Sequence, residues 1–367
     1  MQVKFFDYPK LYDEHKKEFD KIIPRTLKSG RYILQEELFN FETNFAKYIN
    51  SSNVFGVADG TNAIFLSLIA LGIGPSDEVL LPAHTYIATA SSVHFTGAKA
   101  VLVECNDDSL IDCDDLQKKI NNRTKAIICV NLNGRVCDMS KLLKISKKNN
   151  LYLVEDSAQG VGAKYKNKFA GTFGHLGTYS FYPAKLLGCF GDGGAITTND
   201  SNLAKKIYQL RDHGRDKNGL VKRWGTNSRL DNFQAKILDF KLKHINEYIH
   251  KRRLLASYYH ERLKDIPFIG LPPKPESSSQ NFDTFQNYEA RFKNRNKLKK
   301  YLSEEGIGTL IQWGGNAVHH FKDLKFKCSL PKTDNFFKEC LLLPMNTFLD
   351  IKDIKYVCDK IEYFYHN

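Results

Sequence analysis

Lys185 stands in TYSFYPAKLLGCFGDGGAITTND (178–200), between a candidate strand and a glycine-rich stretch, with Pro183 two residues before it. Its neighbours Phe181, Tyr182, Leu186 and Leu187 are apolar bodies that desolvate an amine. Desolvation lowers a lysine pKa and favours the neutral amine, the form that attacks a carbonyl to give an imine. A loop lysine is more often simply solvated, so the reading needs partners. VEDSAQGVGA (154–163) supplies one: Asp156 ends a run that reads as a buried strand, and ligands of open α/β sheets gather at the carboxyl edge. A carboxylate there pairs with a protonated pyridine nitrogen and keeps an aromatic ring acting as an electron sink. Gln159, three residues on, reaches that ring's phenolic oxygen if the chain turns. An aspartate after a strand equally well caps the following helix.

Two further segments offer anion donors. In ADGTNAIFLSL (58–68), Gly60 permits a tight turn and a helix begins near Thr61, whose free amides suit a phosphate. Ser180 adds a hydroxyl beside Lys185. In WGTNSRLDNFQAKIL (224–238), Asn227 and Arg229 precede an amphipathic helix, where a capping asparagine and a solvated arginine are the plainer readings. Singly each segment has such an alternative. Jointly they offer an imine-forming lysine, a carboxylate for a ring nitrogen and donors for a phosphate, the requirements of pyridoxal 5′-phosphate.

The elements that must position these residues are legible in the apolar pattern. Seven short runs read as strands: 54–59, 78–83, 99–105, 126–132, 151–157, 177–182 and 194–199. Several are apolar on both faces, as in a sheet covered on both sides. Helical stretches lie between them at Thr61–Leu71, Thr85–Thr96, Asp112–Lys119 and Met139–Lys148. The alternation predicts an α/β domain with a mostly parallel sheet. Beyond residue 228 the texture changes. Helical periodicity runs from Arg229 to Leu263, LPPKPESSSQNFD (271–283) reads as irregular, and a strand (284–292), helix (296–304), strand (308–312) and helix (353–365) make a smaller α+β unit. The division falls in or near the long helix, giving a large domain over 1–245 and a small one over 246–367.

The formal charge of +13 is spread over the chain, and its lysine pairs at 147–148, 205–206 and 299–300 fall on amphipathic helices. No basic stripe interleaved with aromatics appears, so nucleic acid is not an expected partner, whereas a polyanionic metabolite is compatible. No apolar run approaches membrane-spanning length, and the N-terminus lacks the pattern of a signal peptide, so cytoplasmic residence is expected. None of the eight cysteines forms a CxxC pair, and no metal is expected; most read as reduced core residues.

With these motifs in hand, the chain resembles the DegT/StrS-type sugar aminotransferases, fold-type I pyridoxal phosphate enzymes that act on nucleotide-linked keto-sugars. The resemblance runs through SGRYILQEELFNFETNFAKYI (29–49), DGTNAIFLSLIALGIGPSDEVLLPAHTYIATA (59–90), EDSAQGVGA, SFYPAKLLGCFGDGGAITTND, RDHGR (211–215) and GTNSRLDNFQAKIL, in the family's order and spacing. It implies a seven-stranded large domain and a small C-terminal one. By position, Lys185 matches the Schiff-base lysine, Asp156 the partner of the pyridine nitrogen, and Gln159 the amide near the phenolic oxygen. Gly60, Thr61 and Ser180 match the phosphate cradle, and Tyr86 an aromatic stacked on the ring. Asn227 matches an asparagine reaching the cofactor phosphate of a neighbouring subunit, which implies a homodimer with shared active sites. Tyr32, Tyr182, Arg229, His319 and His320 fall where sugar or diphosphate contacts are expected.

The implied reaction is ping-pong: glutamate converts the cofactor to pyridoxamine phosphate, which then aminates the keto-sugar, with Lys185 carrying the proton. A dehydratase branch of the family has histidine where this chain has Lys185, and a regulatory member would need none of the constellation. The chain departs from the common pattern at VNLNGR (130–135), LIQWGGNAVHH (310–320) and Tyr182, segments expected to line the sugar–nucleotide site. NSRLD (227–231) resembles members that aminate C-3 of a dTDP-3-keto-6-deoxyhexose more than C-4 members, which act on UDP-, dTDP- or GDP-linked 4-keto sugars.

Overall fold

The apolar runs become strands because they can be buried on both faces. The computed structural model describes residues 1–366. Three helices open the chain, α1 (Tyr8–Asp13), α2 (Lys16–Lys28) and α3 (Glu36–Ile49). Strands and helices then alternate: β1 (Asn53–Val57), α4 (Gly60–Leu71), β2 (Glu78–Pro82), α5 (Ile87–Phe95), β3 (Lys99–Val103), α6 (Cys113–Lys119), β4 (Thr124–Val130), α7 (Met139–Lys148) and β5 (Tyr152–Asp156). A two-strand flap, β6 (Lys164–Tyr165) and β7 (Lys168–Phe169), precedes β8 (Leu176–Ser180), β9 (Gly194–Thr198) and α8 (Ser201–Leu210). After α9 (Asn232–Leu242) and α10 (Ile245–Leu263) come β10 (Ile269–Gly270), β11 (Asn281–Phe282), β12 (Tyr288–Phe292), α11 (Arg295–Glu304), α12 (Pro331–Glu339), β13 (Cys340–Leu343) and α13 (Ile351–His366).

The large sheet has the order β1-β9-β8-β5-β4-β2-β3. Neighbours from β8 to β3 are parallel, and β9 runs antiparallel to both β1 and β8. Six of the seven strands therefore share one direction. Their side chains alternate between two separate cores. Val79, Leu81, Ala126, Ile128 and Val154 pack in one cluster, while Leu80, Ile127, Cys129 and Leu153 pack in another. A period of two with both faces buried is what the continuous apolar runs required. The carboxyl ends of β1, β2, β4, β5 and β8 consequently lie along a single edge, and the candidate residues follow those ends.

A third core joins Val3 to residues of α10, α11, β12, β13 and α13. Here the expectations need correction. The single helix over Arg229–Leu263 is two, starting at Asn232 and broken at Lys243 and His244. Lys243 and His244 donate to Phe240 and Lys241 three residues back, which tightens the turn, and the His244 ring stacks on His15 at 4.8 Å. The strand expected over 308–312 is one isolated bridge, Leu310 to Leu342. Trp313, Gly314 and Gly315 then adopt positive φ, which turns the chain out of extended geometry. The extended run at 284–292 begins only at Tyr288, because Phe285 sits at φ 51°. Six of the eight cysteines are buried, as core residues. Among the described residues no helix is long and apolar enough to cross a membrane.

Candidate active site

Asp156 is the last residue of β5, paired in register with Val130 and Thr178 of its neighbours. It is 5% exposed, and both its oxygens accept hydrogen bonds from neutral donors: Thr89 Oγ1 to Oδ2 at 2.8 Å and the Ala158 amide to Oδ1 at 3.1 Å. Thr89 in turn meets Thr85 Oγ1 at 2.8 Å. Burial pushes the Asp156 carboxyl above its usual range, against the pull of those donors and of the Lys185 ammonium. No cation hydrogen-bonds or ion-pairs with this buried carboxylate among the described residues; Lys185 acts on it only through its charge. The threonines escaped the sequence reading, although their i, i+4 spacing across the start of a helix does put both on one face.

Lys185 follows β8 on the same edge. Burial brings its amine down to about 8, opposed by the charge of Asp156. Its pKa predicts how the cofactor-free chain takes up pyridoxal phosphate. Below about pH 8 the amine is protonated and cannot attack, so the uptake rate should climb with pH and level off above that value. Stopped-flow absorbance of imine formation measures this; a rate flat from pH 6 to 9 would contradict it.

The turn expected to cradle a phosphate sits between β1 and α4. Asp59 caps α4, accepting from the Asn62 amide at 2.7 Å, so the amides of Gly60 and Thr61 precede the first intrahelical bonds. A Cβ on Gly60 would lie 2.8 Å from the Ser180 Cβ, so glycine lets the helix start approach the end of β8. Overpacking there costs ~1–3 kcal/mol, so Gly60→Ala is expected to weaken cofactor affinity about ten-fold or more, read by titrating the cofactor-free chain.

Gln159 is buried, with Oε1 accepting from the Asn133 amide at 2.7 Å and from Asn287 Nδ2 at 3.4 Å. With its oxygen so committed, its Nε2 is the end left to donate to a ligand. Asn133, in left-handed geometry, also binds Glu289, Asn287 and Gln312. Asn131 does not line any sugar site. It is fully buried, donating to Glu155 at 3.3 Å and Ser157 at 2.9 Å and accepting from the Cys137 amide.

The remaining candidates are more dispersed. Tyr86, 55% exposed at the N-cap of α5, packs on Trp313 with centroids 5.3 Å apart. Tyr182 is exposed, and burial together with this neighbour raises the pKa of the Tyr8 hydroxyl. Tyr32 donates to the Leu27 carbonyl, and Arg229 pairs with Asp212 at 2.8 Å. Asn227 is exposed, bridging Asp212 through its main chain. His319 and His320 both place Nε2 2.7 Å from Asp334 Oδ1. That trio has the makings of a cation site, but the Ala317 amide donates to His320 Nδ1 at 3.1 Å. The ring proton is thereby held on Nε2, which removes the lone pair a metal would need.

Lys185, Asp156, Gln159, Ser180 and the Gly60 turn thus meet at one sheet edge, and they fit pyridoxal phosphate: a buried carboxylate hydrogen-bonded only by neutral donors, an amide whose nitrogen is left to donate, a glycine-opened helix start and an amine of lowered pKa. Fold and site together define a fold-type I pyridoxal phosphate-dependent transferase. The chain belongs to the DegT/DnrJ/EryC1/StrS aminotransferase family, whose model matches residues 13–362. It is 37% identical over 98% of its length to the dTDP-3-amino-3,4,6-trideoxy-alpha-D-glucose transaminase of Streptomyces venezuelae, covering 95% of that protein. It is 36% identical to the pleiotropic regulatory protein of Geobacillus stearothermophilus, over the whole of both chains. The crystal structure of S. venezuelae DesV in complex with a ketimine intermediate superposes with a TM-score of 0.95 at 36% identity, covering 100% of this chain and 99% of that one.

Proposed function

We propose that this protein is a pyridoxal phosphate-dependent aminotransferase that moves an amino group from glutamate to a nucleotide-linked keto-deoxysugar. The substrate favoured is a dTDP-3-keto-6-deoxyhexose aminated at C-3, giving an amino sugar for lipopolysaccharide, O-antigen or another surface glycan. The observation that carries the reading is the Lys185 amine, of lowered pKa, sharing one sheet edge with the buried Asp156, whose hydrogen bonds come only from neutral donors. The similarity to a dTDP-3-amino sugar transaminase supports the choice of C-3.

When bound, the cofactor supplies an electron sink for the carbon that exchanges its amine. Asp156, braced by Thr89 and the Ala158 amide, would hold the ring nitrogen protonated. Ser180 and the amides of Gly60 and Thr61 would hold the phosphate, Gln159 Nε2 would donate to the phenolic oxygen, and Tyr86 would pack on the ring. Lys185 Nζ, its pKa brought down to about 8, would accept and return the proton that the amine exchange moves. Tyr32, Tyr182, Arg229, His319 and His320 are proposed to reach the sugar or its diphosphate once their present partners yield.

We assign the active unit as a cytoplasmic homodimer. In its support, Asn227 is exposed near a loop that presents Leu220, Val221 and a 97% exposed Trp224 to solvent, an apolar surface suited to a second subunit. A division into large (1–245) and small (246–367) domains is supported by the break between α9 and α10. The test is incubation with glutamate and a panel of dTDP-, UDP- and GDP-linked 3-keto and 4-keto sugars, followed by mass spectrometry. Amination at C-3 of the dTDP sugar is expected. Cofactor binding without amination of any sugar, or deoxygenation without glutamate consumption, would overturn the reading.

A further inference from the structure

Lys185 rides on a reversal pinned at its ends. Phe181 N–H donates to the Gly193 carbonyl at 2.7 Å, Cys189 N–H to the Phe181 carbonyl at 2.8 Å, and Lys241 Nζ to the Gly188 carbonyl at 2.6 Å. The Lys185 amide itself closes a turn on the Tyr182 carbonyl at 2.8 Å, whereas the Ala184 carbonyl before it and the Leu186 amide after it are both taken by one distant side chain. Gln286 Oε1 accepts from the Leu186 amide at 2.6 Å, and Gln286 Nε2 donates to the Ala184 carbonyl at 2.9 Å.

Gln286 is only 5% exposed and is itself held firmly. Arg252, buried on α10, donates through Nη1 to the carbonyls of Phe285, Gln286 and Met345 at 3.0, 2.8 and 3.0 Å. On its other side the Thr284 amide donates to the Gly134 carbonyl at 2.9 Å, and a Cβ on Gly134 would stand 2.8 Å from the Gln286 nitrogen. The segment therefore runs as a strap from α10 across the turn after β4 to the lysine loop. A primary amide can accept and donate from one planar group, which is what bracketing a single residue requires.

We infer that Gln286 is a positioning residue: its amide fixes the peptide on both sides of Lys185 and so sets where the amine stands relative to Asp156. The inference rests on the reading of Lys185 as the cofactor lysine. Without the bracket the loop loosens, the amine gains water and its pKa rises. A displacement of about 1 Å costs on the order of 10²-fold in rate.

The test compares the full-length parent with Gln286→Leu and Gln286→Glu; the glutamate keeps the acceptor for Leu186 but cannot, when ionised, donate to Ala184. Competitive labelling with acetic anhydride, resolved by peptide mass spectrometry on the chain freed of cofactor, reads the Lys185 amine directly. Its midpoint, about 8 in the parent, should rise by about one unit or more in both variants. In the cofactor-loaded enzyme kcat should fall on the order of 10²-fold, with KM for glutamate changed less than about threefold. A lowered melting temperature with the Lys185 midpoint and kcat unmoved would make Gln286 merely structural and overturn the inference. Should Gln286→Leu not fold, Gln286→Glu decides alone. A Lys185→Ala control separates the two claims: persistence of a lysine-bound cofactor there would sink the reading of Lys185, whatever Gln286 does.

Discussion

Replacing Lys185 with alanine is expected to abolish the absorption band of lysine-bound pyridoxal phosphate and to reduce turnover about 10³-fold or more. The loss is large because one amine has two tasks, holding the cofactor and moving the proton, and general acid–base help alone is worth ~10²–10⁴-fold. The fold should survive. Lys185 Nζ makes no hydrogen bond or ion pair with any described residue, and its burial already disfavours the charged form. Absorbance spectra and steady-state rates of parent and variant at matched cofactor occupancy decide the matter; a variant that keeps both the band and the rate would contradict the assignment.

Asp156→Asn carries the second large effect. The amide preserves shape and can still accept from Thr89, but it brings no negative charge to the ring nitrogen. Leaving one member of a buried charge pair uncompensated costs ~3–5 kcal/mol, which corresponds to about 10²–10⁴ in kcat. Cofactor affinity should fall with it. Thr89→Val, which only removes a support for the carboxylate, should lose far less. Steady-state kinetics of the three proteins test the ordering, and an Asp156→Asn enzyme within about tenfold of the parent would show that the ring nitrogen is not its partner.

Much of this architecture is readable in the chain because burial on two faces leaves a plain trace. The runs 151–154 (LYLV) and 126–130 (AIICV) are apolar at every position, and Met139–Lys148 carries a clean helical period that the structure reproduces residue for residue. Asp156 and Lys185 were legible for a related reason, since one ends a strand and the other follows a strand at the same carboxyl edge of the sheet. What the chain hides is set by contacts between distant segments. Nothing in FDTFQNYE announces that Gln286 reaches Ala184 and Leu186, because no local period encodes a contact a hundred residues away. The break at Lys243 and His244 carries neither glycine nor proline, and it coincides with the stacking of His244 on the distant His15. The alternation at 308–312 suggested a strand, but the turn at Trp313 and the two glycines after it leave room for only one bridge. At Asn131 the family pattern pointed to the substrate, whereas the side chain points into the core and braces Glu155, which holds the amides of Gly171, Phe173 and Gly174.

The most direct test of amino transfer at Lys185 separates the two half-reactions. Glutamate added to the cofactor-loaded protein should bleach the band of lysine-bound cofactor and release one equivalent of 2-oxoglutarate per active site. A dTDP-linked 3-keto-6-deoxyhexose added next should restore the band and yield one equivalent of aminated sugar. A spectrum that glutamate leaves unchanged, or a bleached spectrum that no nucleotide-linked keto-sugar restores, would contradict the account.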